Sequence, residues 1–156
     1  MPQLLSIPQV TQFIPTRYSF AQPNVPASQS GVQMKITATD AASGTLNLTD
    51  YVLPFGGSIY AIAYRLSAAV STGTLSLVPT INGTPITAAG LLLSAVSDTY
   101  RFAQIDGQTP GARFAVPASK TTPNRLGCQI TTSGTWSPTN SDLWVDVYLL
   151  FDGVQL

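Results

Sequence analysis

Residues 142–152 read DLWVDVYLLFD. In an extended chain Leu143, Val145, Val147, Leu149 and Phe151 fall on one side, and Trp144, Asp146, Tyr148, Leu150 and Asp152 on the other. Five apolar residues at a period of two predict a β-strand that lines a core. The second side mixes Trp, Tyr and Leu with aspartate, which is not the composition of a surface that meets only water. Residues 57–68, GSIYAIAYRLSA, repeat the pattern, with Ile59, Ala61 and Ala63 set against Tyr60, Ile62, Tyr64 and Leu66. Both sides of both strands are expected to be covered. In a two-layer sandwich one outer face has no third layer to sit under, so the expected cover is a packed neighbour or the N-terminal arm of residues 1–31. Tyr60, Tyr64, Trp144 and Tyr148 are therefore candidate partner-binding residues.

Working outward from these two strands, the chain beyond Gly31 consists of short alternating runs separated by Gly, Pro, Asn, Asp and Ser, the pattern of an all-β domain. Strands are expected near 32–39, 45–53, 57–68, 74–81, 99–105, 112–117, 125–132 and 142–152. Asn82-Gly83 is the sharpest turn signal, because a type I′ hairpin needs positive φ at both central positions. Pro79 and Pro85 flank that turn and place the hairpin at a sheet edge, since proline donates nothing to a ladder. Residues 88–96, AAGLLLSAV, read equally as a helical turn or two or as part of a strand. The resulting fold class is an all-β, antiparallel β-sandwich over residues 32–156.

Residues 1–31 read differently. They hold five of the twelve prolines (Pro2, Pro8, Pro15, Pro23, Pro26) and one charge, Arg17, and predict an extended arm. The arm carries Leu4, Leu5, Ile7, Val10, Phe13, Ile14, Tyr18, Phe20 and Val25, more apolar surface than a solvated linker leaves in water. Two covers are open: the arm folds over its own domain, or it lies on a neighbouring subunit. Leu4, Leu5, Ile7, Val10, Phe13, Tyr18 and Phe20 are its candidate partner-binding residues. The first fifteen residues lack a basic start and are broken by proline, so they do not read as a signal peptide.

The residue inventory restricts the chemistry. The sequence has no histidine and no glutamate, and its seven aspartates balance five arginines and two lysines. The commonest general base, the commonest zinc ligand and the Ser-His and Cys-His pairs are thereby missing. Paired aspartates remain as a route to glycoside hydrolysis. Asp40, Asp50, Asp98, Asp106 and Asp142, however, fall at expected turns, where the Asp side chain bonds its own backbone. Asp146 and Asp152 lie within the last strand, where Arg65, Arg101 or Arg113 is the expected partner. Calcium and nucleotide loops are not found in the sequence, and no catalytic residue, metal site or cofactor is expected. Balanced, scattered charge gives no field to gather nucleic acid or anionic lipid, and no run of about twenty apolar residues reads as a membrane helix. Cys128, the single cysteine, alternates with Leu126 and Ile130 and is expected to point inward.

The stretch Gly57–Gly83, GSIYAIAYRLSAAVSTGTLSLVPTING, resembles small β-sandwich structural proteins of tailed bacteriophages. Its parts are a glycine-led strand of alternating apolars, a Ser-Ala-Ala-Val turn, a Gly-Thr-Leu strand and an Asn-Gly hairpin. Head decoration (cement) proteins are the subgroup it looks most like. The resemblance implies a jelly-roll-like sandwich with an extended arm, a virion location on the capsid surface, the major capsid protein and copies of itself as partners, and a homotrimer. Fibre and tail-tip domains use similar sandwiches, so the alternative is a receptor- or carbohydrate-binding tail module.

Overall fold

In a computed structural model, residues 15–36, 48–94, 99–105, 112–115, 117 and 121–152 are described. Their twelve strands are β1 (Thr16–Gln22), β2 (Val32–Gln33), β3 (Lys35–Ile36), β4 (Asp50–Leu53), β5 (Gly57–Leu66), β6 (Thr74–Ile81), β7 (Thr84–Pro85), β8 (Leu91–Ser94), β9 (Tyr100–Gln104), β10 (Arg113–Phe114), β11 (Asn124–Thr132) and β12 (Leu143–Phe151). All pairings are antiparallel. Sheet one runs β3-β1-β12-β5, with β9 and β10 sharing the far edge of β5. Sheet two has β11 and β6 at its centre, with β2 and β4 beside β11 and β7 and β8 beside β6.

Taken as eight principal strands in chain order (β1, β4, β5, β6, β8, β9, β11, β12), sheet one reads first-eighth-third-sixth and sheet two second-seventh-fourth-fifth. This is the double wrapping of a jelly roll, and the protein is an all-β antiparallel sandwich of that kind. The core lies between the sheets. Leu143, Val145, Val147 and Leu149 of β12 are fully buried and belong to one cluster with Leu75, Leu77, Leu126, Cys128 and Ile130 of β6 and β11. Among the described residues no helix is long and apolar enough to cross a membrane.

Residues 16–22, expected within an arm, are instead a full sheet strand. β1 pairs with β12 from Thr16↔Leu149 to Gln22↔Leu143, and Phe20 is completely buried. Pro15 and Pro23 flank this strand without interrupting it, so the alternation Tyr18, Phe20 against Arg17, Ser19, Ala21 survives. The following proline-rich stretch is also tied to its own domain. Val25 N–H donates to Ser141 O, Ser28 N–H to Ser133 O, the Thr132 hydroxyl to Pro26 O, and the buried Trp136 indole to Val25 O at 3.1 Å. The expected boundary at residue 31 therefore does not divide arm from sandwich within residues 16–31.

Other departures have equally local causes. The expected strand 32–39 is split at the buried Met34: β2 pairs with β11 in sheet two and β3 with β1 in sheet one, so the chain crosses between sheets there. Residues 88–96 contain both readings, a 3₁₀ turn Thr87–Ala89 followed by β8. Asn82 and Gly83 have φ of 53° and 79°, as the hairpin requires. Pro85 is in the short edge strand, but Pro79 is in β6, which has neighbours on both sides. It is accommodated because β8 pairs only up to Leu77 and β7 only from Thr80, leaving a break in the ladder at Pro79.

Candidate functional site

The outer face of sheet one follows from strand register, because residues directly opposite each other in an antiparallel pair point to the same side. Trp144, Asp146 and Tyr148 of β12 face Arg65, Ala63 and Ala61 of β5 on one flank and Ala21, Ser19 and Arg17 of β1 on the other. Arg65, Ala63 and Ala61 in turn face Tyr100, Phe102 and Gln104 of β9, and Ala21 faces Lys35 of β3. Large aromatics thus stand on β9 and β12, with Ala61, Ala63 and Arg65 between them on β5.

Tyr100 is 75% exposed, Phe102 54% and Trp144 38%. Phe102 meets the half-buried Tyr148 edge-on at 5.5 Å, and the Arg65 guanidinium lies 5.2 Å from the centre of the Trp144 ring. Such contacts hold the rings in place while leaving much of their surface in water. Beside Trp144 runs a groove of about 510 Å³, floored by Ser19 and Ala21 and rimmed by Arg17, Lys35 and Arg65. Asp146 lies in it, accepting a hydrogen bond from the Ser19 hydroxyl.

The sequence-derived candidates divide in three. Trp144 and Tyr148 are on this face, and Tyr60 is half-buried at its end. Tyr64 and Phe20 were expected to meet a partner but are core residues, Tyr64 being only 4% exposed. The reason for Tyr64 is a β-bulge: Tyr148 pairs with Ala61 and Leu149 with Ile59, so Tyr60 is an extra residue in β5. That insertion reverses the alternation and brings Ile59, Ile62, Tyr64 and Leu66 to the inner side together. Phe20 is inward because it pairs with the buried Val145. Tyr18 is partly buried against the core, its ring 5.0 Å from Tyr51, and burial, with Tyr51 adding to it, raises its phenol above the ordinary value. Leu4, Leu5, Ile7, Val10 and Phe13 lie outside the described residues. Tyr100 and Phe102 are residues of this face that the sequence pattern does not single out; the signal for them is the pairing of β9 with β5, which no local pattern reveals.

Asp152 has the kind of partner expected of it, Arg113 at 2.8 Å, whereas Asp146 takes a serine hydroxyl and not an arginine. Among the described residues no group of three or more Cys, Asp or Glu side chains could hold a metal ion. Cys128 is fully buried, and burial pushes its thiol up to about 12.

A second hollow, of about 420 Å³, opens on the outer face of sheet two, lined by Gln33, Asp50, Thr80, Asn82 and Arg125 around Gly127. It exists because Gly127 has no side chain: a Cβ there would come within 2.7 Å of Thr80 Oγ1 and 2.8 Å of Gln33 Oε1. Arg125 and Asp50 stand 3.9 Å apart across it.

No family model matches the chain, and no curated protein sequence matches it. Among solved structures it is similar to the globular domain of zebrafish complement 1qA protein, at 10% identity and a TM-score of 0.41 over 88% of this chain and 98% of that one. It is also similar to a chain of the heated full particle of Israeli acute paralysis virus, at 12% identity and a TM-score of 0.37 over 98% of this chain and 84% of that one. A third similarity is to a chain of the native Kashmir bee virus virion, at 13% identity and a TM-score of 0.31 over all of this chain and 81% of that one.

Proposed function

We propose that this chain is a virion structural protein that decorates and cements a phage capsid, seated on the major capsid protein and on copies of itself as a homotrimer. The observation that carries this reading is the outer face of sheet one, where Tyr100, Phe102, Tyr148 and Trp144 form an aromatic surface that no other described element covers. Aromatic and arginine side chains are the ones that dominate stable protein interfaces, while a face left to water favours small polar groups. The likeness of Gly57–Gly83 to phage sandwich proteins supplies the particle and the capsid-surface location, with synthesis in the host cytoplasm. Leu4, Leu5, Ile7, Val10 and Phe13, upstream of β1, add a second apolar contact to the neighbouring subunit in this reading.

The test is to mix purified protein with emptied heads of the virus that encodes it and, separately, with host cell envelopes. Saturable binding to heads, together with a trimer in sedimentation, supports the proposal. Binding to envelopes and not to heads would transfer the protein to the tail-module alternative.

A further inference from the structure

The cations of this protein are unevenly employed. Arg113 and Arg125 face Asp152 and Asp50. Arg17, Lys35 and Arg65 are instead gathered around the groove beside Trp144, and among the described residues no carboxylate forms an ion pair with any of them. The one carboxylate lining the groove, Asp146, is engaged by Ser19. Three positive side chains therefore surround one negative one on an exposed face of a protein whose net charge is zero. The Trp144 ring holds the Arg65 guanidinium without consuming its N–H donors, which remain able to grip a carboxylate in a two-pronged fashion.

We infer that this groove receives an acidic polypeptide segment, whose carboxylates meet Arg17, Lys35 and Arg65 while an apolar neighbour packs on Trp144. The inference names the chemistry of the partner on the proposed interaction face and rests on that reading. Charge complementarity identifies a different chain as its source. Residues 1–14 of this protein carry no charge, and its seven aspartates are scattered with no two closer than four positions and no glutamate among them, so this chain has no acidic run of its own to offer. Nucleic acid fits less well, because its phosphates require a continuing track of cations and this chain has only seven in all.

Trp144 supplies the readout, since Trp136 is buried and contributes a constant background to the fluorescence. The probes are a synthetic decapeptide with four glutamates around a central leucine, the same peptide with glutamines, and a short oligothymidylate. The full-length protein is expected to bind the glutamate peptide roughly tenfold tighter than the glutamine peptide at low salt. That preference should collapse in about 0.5 M salt. It should also collapse in the Arg17→Gln/Arg65→Gln variant and weaken in Lys35→Gln, with melting temperatures held within a few degrees. Equal affinity for the two peptides, a preference unchanged in the double variant, or tighter binding of the oligothymidylate would each overturn the inference. Head occupancy measured in parallel separates the two levels. Glutamate selectivity without binding to heads upholds the groove's chemistry and rejects the capsid role. Head binding indifferent to salt and to Arg17→Gln/Arg65→Gln, with no glutamate preference, does the reverse.

Discussion

The two sheets of this sandwich share one core and present opposite outer faces. At the centre of sheet two the outward positions of β11 and β6 are Arg125, Gly127, Gln129, Thr131, Ser76, Val78 and Thr80, and the exposed apolar residues of its strands stand apart on the flanks, Val52 on β4, Leu92 on β8 and Val32 on β2. On sheet one the corresponding outward positions hold Phe102 beside Tyr148, and Tyr100 and Trp144 on either side of Arg65, with Arg17 and Lys35 on the flank beyond β12. Isolated apolar side chains are ordinary on any surface, whereas a contiguous aromatic strip exposes area that association would remove from water. One face is finished by small polar groups and a glycine; the other, in the proposed function, is completed by a partner. The stability of the sandwich and its binding should therefore be separable by mutation.

The largest effect is expected at the rim of sheet one. Removing residues 1–22 deletes β1 and should abolish cooperative unfolding, whereas removing residues 1–14 should leave it intact, as followed by circular dichroism on heating. Phe20→Ala should cost about 3–5 kcal/mol, because a fully buried aromatic leaves a cavity between the sheets. Full stability without β1 would mean that the outer face of sheet one ends at β12 and that the groove does not exist.

A smaller and more pointed contrast sets Gly127 against Ala63. Gly127→Ala drives a methyl group into Thr80 and Gln33 and should cost about 1–3 kcal/mol in urea unfolding. Ala63→Ser, opposite Asp146 on the other face, should stay within about 0.5 kcal/mol. Equal costs would show that sheet one's face is as tightly filled as sheet two's hollow.

These expectations also show where local sequence stops being informative. The alternation of β12 and the Asn82-Gly83 turn are legible because each depends on neighbours within a few residues. The strand at 16–22 has equally clear alternation, but its flanking prolines read as interruptions until Pro15 and Pro23 are seen to lie outside it. Tyr64 lies on the inner side, against its reading as a partner-binding residue, because one inserted residue at Tyr60 inverts everything that follows, and a bulge leaves no mark in hydrophobic pattern. The aromatic face is a product of topology: Phe102 and Tyr148 are distant in sequence and meet through β5, which lies between their strands.

Between the two faces, Cys128 gives a pH-dependent readout of the shared core. Its thiol ionises near 9 when unburied and is pushed up to about 12 in the fold, so the unfolded chain loses its proton first as pH rises. Its contribution is complete below about 9 and is lost progressively as pH climbs toward 12. Urea unfolding across that window should show falling stability, and Cys128→Ala should flatten the fall. Small effects are also expected at the exposed ion pairs, one belonging to each sheet. Arg113→Ala and Arg125→Ala should each change stability by less than about 1 kcal/mol.

In the proposed function the outer face of sheet one serves a partner and contributes little to folding. The decisive measurement takes both thermal unfolding and occupancy of emptied heads, at matched concentration, on the double variant Phe102→Ser/Trp144→Ser. The expected result is a melting temperature within a few degrees of the parent and a loss of occupancy of at least about tenfold. Unchanged occupancy would contradict it.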